Sequence, residues 1–216
     1  MNTLTVDVVA DIVCPWCYVG LKSFLAAREA LQEAFTIDTR YRPFQLNPEL
    51  PAGGVDRHAF YRRKFPDEAR LAAAREAIRA NARETGFDFD PSAPARLPNT
   101  LKAHQLIALA HRTGRQDPVA MALYRAFWDD LADIGAEETL IDIGVRQGLE
   151  RADMVEALGL TGDAVLAEAD AFRRAGVSGV PTFIVGERTG FSGGMPPSSM
   201  IAALREAARR NEEAAA

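Results

Sequence analysis

Apolar and polar positions alternate at the start of the chain. Leu4, Val6, Val8 and Ala10 share one parity, Thr5, Asp7, Val9 and Asp11 the other, and Ile12-Val13 follow. A period of two predicts a largely buried first strand that carries on into 12–13. Cys14-Pro15 stops it, because proline cannot continue a central ladder but suits the first turn of a helix. Leu21, Phe24, Leu25, Arg28 and Leu31 then recur at helical spacing to about residue 34. Ile37, Thr39 and Tyr41 alternate in a second strand closed by Pro43. The opening reads β-α-β, with the helix as the crossover between parallel strands.

From about 58 to 175 the strand alternation fades into a pattern rich in Ala, Arg, Glu and Leu. Helices are predicted at about 58–86, 99–113, 117–131, 137–147, 151–158 and 163–175. Phe65-Pro66 divides the first, since proline disfavours helix at the residue before it. The proline-rich 90–98 reads as a loop. Strand character returns at 180–185. Gly186-Glu187-Arg188 turns into a short strand at 189–192, and Pro196-Pro197 precedes a last helix at 198–208. No tandem repeat is present. The order β-α-β, helical block, β-β-α predicts an α/β chain. It has a thioredoxin-like core from 1–56 and 176–216, interrupted by a large all-helical insertion at 57–175.

The chain's two cysteines sit in Cys14-Pro15-Trp16-Cys17. A thiolate attacks a disulfide and a thiol does not. A cysteine at a helix amino terminus faces unpaired N–H groups and the positive end of the helix dipole. Such thiols titrate at roughly 3.5–7.5 instead of near 8.5. Cys14 is the expected nucleophile. Cys17, one turn on, is the expected resolving thiol that displaces whatever Cys14 has captured. Pro15 fixes the helix start, and Trp16 forms surface beside the reactive sulfur. Two blander accounts compete. A half zinc site would need two further ligands, and only His58, His104 and His111 remain, so no metal site is expected. Inert cysteines buried as small apolar residues are the other account.

In Gly176-Val177-Ser178-Gly179-Val180-Pro181-Thr182, a proline opening a strand is explained simply by a sheet edge. In a thioredoxin-like core a cis proline faces the paired cysteines, so the Val180-Pro181 bond is expected to be cis. The Val180 backbone is then open to strand-like pairing with an extended substrate.

Five segments carry a resemblance: Asp11 to Gly20, Arg42 to Pro48, Asn99-Thr100 with Ala103-His104, Gly176 to Phe183, and Phe191 to Pro196. In this order the chain resembles the DsbA family, and more closely its cytosolic FrnE-like branch. The resemblance implies dithiol–disulfide chemistry at Cys14 and Cys17, with Pro181 as the cis proline. One departure stands at Ser192-Gly193-Gly194-Met195-Pro196, where the family usually has Ser-Gly-Ala-Gln-Pro. No second cysteine pair exists near the carboxyl terminus, which excludes a four-cysteine relay.

Secondary candidates are weighed against structural roles. Asn99 and Thr100 suit a helix N-cap and also a place lining the site. His104 is read either as a packed, hydrogen-bonded residue or as a proton carrier for Cys17 or the leaving thiol. Gln45, in the loop after the second strand, is the candidate polar substrate contact, while Phe44 and Leu46 suit core packing.

A net charge of −5 argues against bulk nucleic-acid binding. Charge is uneven, however. Residues 57–83 hold eight Lys or Arg against three Asp or Glu, and 129–170 hold two Arg against twelve acids. Two solvated helix faces explain this, and so does a basic rim that attracts an anionic substrate. No secretory leader is read, and no apolar run approaches the ~18–20 residues of a membrane span. The expected setting is therefore the cytosol, where a cysteine pair is catalytic or metal-binding more often than structural.

Three functions remain. The first is a thiol–disulfide oxidoreductase acting on protein or small-molecule thiols, with reductase or isomerase activity open and no cofactor beyond glutathione as a candidate co-substrate. The second is a glutathione-dependent transferase or 2-hydroxychromene-2-carboxylate isomerase-like enzyme using Cys14 alone. Relatives of that kind usually have serine at this position. The third is a binding module or holdase with incidental thiols. Oligomeric state is not legible.

Overall fold

The computed structural model describes residues 2–214. A four-stranded sheet forms its centre. Strand β1 (Asn2–Ala10) pairs in parallel with β2 (Phe35–Pro43), and helix α1 (Pro15–Ala30) makes the crossover. On its other edge β1 pairs antiparallel with β5 (Thr182–Val185), which pairs antiparallel with β6 (Thr189–Ser192). The order is β2-β1-β5-β6. From Val6 to Ala10 every β1 side chain is buried, so this strand is covered on both faces. Its one acid there, Asp7, accepts from Arg42 Nε at 2.6 Å, and Arg42 also reaches Glu168 at 2.8 Å. Burial of that charge is thus matched by a partner.

Between β2 and β5 lie β3 (Val55–Asp56), α2 (Arg57–Lys64), α3 (Glu68–Glu84), β4 (Arg96–Leu97) and α4 (Leu101–Arg112). Then come α5 (Gln116–Trp128), α6 (Glu137–Arg146), α7 (Arg151–Gly159) and α8 (Asp163–Arg174). The chain closes with α9 (Pro197–Glu213), which packs on α1, β5 and β6. Helices α4, α5 and α8 pack against β2. One continuous hydrophobic core links sheet and helices, with Phe24, Phe183, Tyr18, Phe127 and Trp128 at its centre.

Three expectations are corrected. First, β1 ends at Ala10. Ile12 and Val13 are buried, but they belong to a turn closed by the Cys14 N–H on the Asp11 carbonyl at 3.1 Å. Buried turn residues and buried strand residues look alike in hydropathy. Second, 90–98 is not all loop. Arg96-Leu97 pairs antiparallel with Val55-Asp56, and two-residue strands carry no readable period. Third, α9 runs on to Glu213. Its apolar stripe (Met200, Leu204, Ala207, Ala208) ends at 208, and the last turns are exposed and held by Glu206, Arg209, Arg210 and Glu213 ion pairs.

Candidate redox site

Cys14 occupies the N-cap of α1, with extended backbone (φ −84°, ψ 116°) and Pro15 at the first helical position. Its carbonyl accepts the Cys17 N–H at 3.0 Å and the Tyr18 N–H at 3.3 Å. Its sulfur therefore lies at the end of the helix where N–H groups are unpaired. Opposite it, the Val180-Pro181 bond is cis. The Cys14 thiol donates to the Val180 carbonyl at 3.6 Å. Both cysteines are free thiols. Cys14 is 5% exposed beside half-buried Pro15, Trp16 and Val180, whereas Cys17 is 1% exposed and sits behind it.

The two sulfurs differ in their surroundings. Burial pushes the Cys17 thiol well up, and the hydrogen bond and negative charge of Cys14 add to this. The Asp11 main chain pulls the other way, while the Asp11 charge raises it further. Cys17 is held as a thiol.

Asp11 was not expected as a site residue beyond its place in the resemblance. It is 1% exposed. Its Oδ2 accepts the Leu46 N–H at 2.8 Å, but Oδ1 has no hydrogen-bond partner. His104 Nε2 stands 3.5 Å from that oxygen and 3.1 Å from the Phe44 carbonyl. A carbonyl only accepts, so Nε2 carries the proton. The signal in sequence was an acid directly ahead of the apolar Ile12-Val13. In the alternation that acid falls in the polar phase of a strand.

The helical block grips this turn. Tyr124 Oη donates to the Asp11 carbonyl at 3.1 Å, and Trp128 Nε1 donates to the Ile12 carbonyl at 2.9 Å. Tyr18, next to Cys17, donates to Asp129 Oδ2 at 2.7 Å. Two glycines admit close neighbours. A Cβ at Gly20 would stand 2.8 Å from Pro181 Cγ, so bare backbone lets the proline ring rest on α1. A Cβ at Gly194 would stand 2.8 Å from the Trp16 carbonyl and 2.9 Å from its ring. Gly194, beside the Met195 departure, thus lies directly on Trp16.

Cys14, Pro15, Trp16, Cys17, Val180 and Pro181 come together at one place, with His104 behind them against Asp11. Gln45 and Asn99 form a separate tie. The Gln45 amide is buried and donates to Asn99 Oδ1 at 3.0 Å. Asn99 Oδ1 also accepts the Leu101 N–H at 3.0 Å, and its Nδ2 donates to the Leu50 carbonyl at 2.7 Å. Asn99 rather than Thr100 supplies the capping side chain, since Thr100 makes no side-chain cap bond. Among the described residues no cluster of three or more His, Cys, Asp or Glu is able to hold a metal ion. None of their helices is long and apolar enough to cross a membrane.

Solved structures share this architecture. The probable DsbA oxidoreductase SCO1869 from Streptomyces coelicolor superposes with a TM-score of 0.83 at 25% identity, covering 94% of this chain and 89% of that one. The cytosolic disulfide reductase DsbM from Pseudomonas aeruginosa, solved with GSH, gives 0.66 at 20% identity over 95% and 99%. Among curated proteins, the uncharacterized protein YwbO of Bacillus subtilis (strain 168) is 25% identical over 188 residues, which is 86% of this chain and 88% of YwbO. The model of the DSBA-like thioredoxin domain matches residues 5–205, and the chain belongs to that family.

Proposed function

We propose that the protein is a thiol–disulfide oxidoreductase whose Cys14-Cys17 pair alternates between dithiol and disulfide. The reading is carried by one observation. Cys14 stands at the amino end of α1 against the Val180 carbonyl, and Cys17 is sealed behind it as a thiol. Negative charge is favoured at a helix amino terminus, so the outer sulfur attacks and the inner one waits.

In the reducing direction the Cys14 thiolate attacks one sulfur of a substrate disulfide. A Cys14–substrate bond forms, and the first substrate sulfur leaves and takes a proton. Cys17 then loses its proton and attacks Cys14 Sγ. The Cys14–Cys17 bond forms, and the second substrate thiol departs. The substrate gains two electrons and the enzyme loses two. The reverse sequence oxidises a substrate dithiol. Isomerisation uses the Cys14 step followed by attack of a different substrate thiolate on the mixed disulfide, which forms a new substrate disulfide and releases Cys14 without net electron transfer. Asp11 and His104 are assigned to the Cys17 proton. The unpartnered Asp11 Oδ1 gives it a place to go.

The partners are protein or small-molecule thiols and disulfides, and the setting is cytosolic. DsbM, a cytosolic disulfide reductase solved with GSH, has the same fold. Insulin reduction tests the reading. Cys14→Ser is expected to abolish turnover, and Cys17→Ser to abolish turnover while accumulating mixed disulfide. Full activity in Cys14→Ser refutes it. A transferase or isomerase using Cys14 alone predicts instead that Cys17→Ser stays active on a small electrophile or enol.

A further inference from the structure

Beside the cysteines lies a cavity of about 620 Å³ that the chemistry above does not use. Its walls are α2, the Phe65-Pro66-Asp67 link and the first half of α3, and it opens against Pro15. Tyr61, on the same wall, stands near enough to Cys14 for the two groups' charges to interact. The volume falls in the range of ~300–1,000 Å³ typical of small-molecule sites.

The lining combines apolar side chains, Leu71 and Ile78 among them, with aromatic rings and cations. Tyr61 and Phe65 are joined by Arg57, Lys64, Arg70 and Arg75. The only acid lining the cavity, Asp67, is engaged in capping α3 through the Arg70 N–H at 3.0 Å. Among the described residues those four cations form no ion pair, and Lys64 bonds only the neutral Asn47 amide oxygen at 2.8 Å. Much of the basic charge of 57–83 thus acquires an address next to the redox centre.

Arg57 is the second, independent observation. It is 2% exposed. Its Nη2 donates to the Pro91 carbonyl at 2.7 Å, and the guanidinium lies 4.6 Å from the Tyr61 ring and 5.4 Å from that of Trp128. Its Nε has no partner. The nearby acid whose charge reaches it, Asp90, is bonded to Arg79 and Ser92 instead. Burying a cation without a counterion is costly, and the cost falls when an anion arrives. Planar guanidinium groups match carboxylates in shape.

We infer that this cavity is a recognition pocket for a disulfide of small-peptide size carrying carboxylates. The pocket takes the carboxylate-bearing arm while Cys14 attacks the sulfur beside it. The kinetic part of this inference rests on the proposed thiol–disulfide reaction. Each single turnover converts one disulfide and the enzyme dithiol into two substrate thiols and the Cys14–Cys17 disulfide.

The test uses the whole, pre-reduced protein in single turnovers with three disulfides. Glutathione disulfide is anionic, hydroxyethyl disulfide neutral and cystamine cationic. Arg70 is exposed and Arg75 half-buried, so the pair Arg70→Glu with Arg75→Glu leaves the core untouched, and the Gln pair repeats the test without reversed charge. The rate with glutathione disulfide relative to hydroxyethyl disulfide is expected to fall tenfold or more in the Glu pair, and cystamine to speed up. A ratio unchanged within twofold overturns the pocket. A separate arm removes the chemistry by titrating S-methylglutathione into Cys14→Ser by calorimetry. Binding weakened tenfold by the Glu pair supports the pocket even if no disulfide reacts, in which case the oxidoreductase reading fails alone. Absent or charge-insensitive binding overturns the pocket and leaves the reaction standing.

Discussion

Replacing Gly20 by alanine sets two opposing effects against each other. Gly20 lies inside α1, where alanine is favoured over glycine by about 1 kcal/mol. The new methyl, however, would sit 2.8 Å from Pro181 Cγ and 3.5 Å from the Phe183 ring. The first distance is about 0.7 Å short of the ~3.5 Å at which carbon atoms rest comfortably. A proline ring is stiff, so the Val180-Pro181 segment has to move away from α1. Overpacking of this kind costs about 1–3 kcal/mol, which exceeds or matches the gain in propensity. The net expectation is a loss of about 0–2 kcal/mol. The larger consequence is geometric. Val180 offers its carbonyl to the Cys14 sulfur at 3.6 Å, and a shift of this size displaces the substrate-facing backbone from the nucleophile. Misplacements near 1 Å cost up to about 100-fold in rate, so a loss of roughly tenfold in dithiol-disulfide exchange is expected. Urea unfolding and a stopped-flow exchange assay measure the two parts. A variant stabilised by about 1 kcal/mol with an unchanged rate would show that the proline does not depend on Gly20 for its position.

Asp11→Asn keeps an oxygen for the Leu46 N–H but removes the carboxylate that serves as proton acceptor. Resolution of the Cys14 mixed disulfide is expected to slow in the same variant, measured by quenched intact-mass kinetics. A destabilised protein with normal resolution would remove Asp11 from the mechanism. The raised Cys17 thiol has its own signature in pH. Its contribution to stability is complete below the unfolded thiol value near ~8.5 and drains away as pH rises toward the higher folded value, at up to about 1.4 kcal/mol per pH unit. Urea midpoints of the reduced protein between pH 8 and 10 should fall, and Cys17→Ala should flatten that slope. Trp128→Phe leaves the buried Ile12 carbonyl unbonded, and a loss of about 1–3 kcal/mol is expected in the urea assay.

The cysteine pair was legible because its chemistry is local: a strand, two thiols one turn apart and a proline at the first helical position. Helices α4, α5 and α6 were legible for a similar reason, since each carries its own apolar stripe, and Phe65-Pro66 marks the break between α2 and α3. The parts that escaped depend on partners distant in sequence. Nothing near Trp128 or Tyr124 announces that they bond the carbonyls of Ile12 and Asp11 more than a hundred positions earlier. Asp7 and Asp11 share one phase of the opening alternation. Asp7 stays in the strand and meets Arg42, while the chain turns at Asp11 and carries its carboxylate inward. Gln45 looked available as a loop amide, and its engagement with Asn99 appears only when β2 and α4 are brought together. The basic stretch at 57–83 was ambiguous between a solvated face and a ligand rim, and only the fold sets α2 and α3 around a common cavity.

In the proposed reaction Cys14 captures substrate and Cys17 releases it. Intact-mass spectrometry with peptide mapping tests this most directly, on Cys17→Ser mixed with a small disulfide at neutral pH and quenched with acid. One stable adduct per chain is expected, on Cys14. The reciprocal Cys14→Ser should carry none over the same time, because Cys17 is buried as a thiol. An adduct on Cys17 in Cys14→Ser, or none on Cys14 when Cys17 is removed, would refute this division of roles between the two sulfurs.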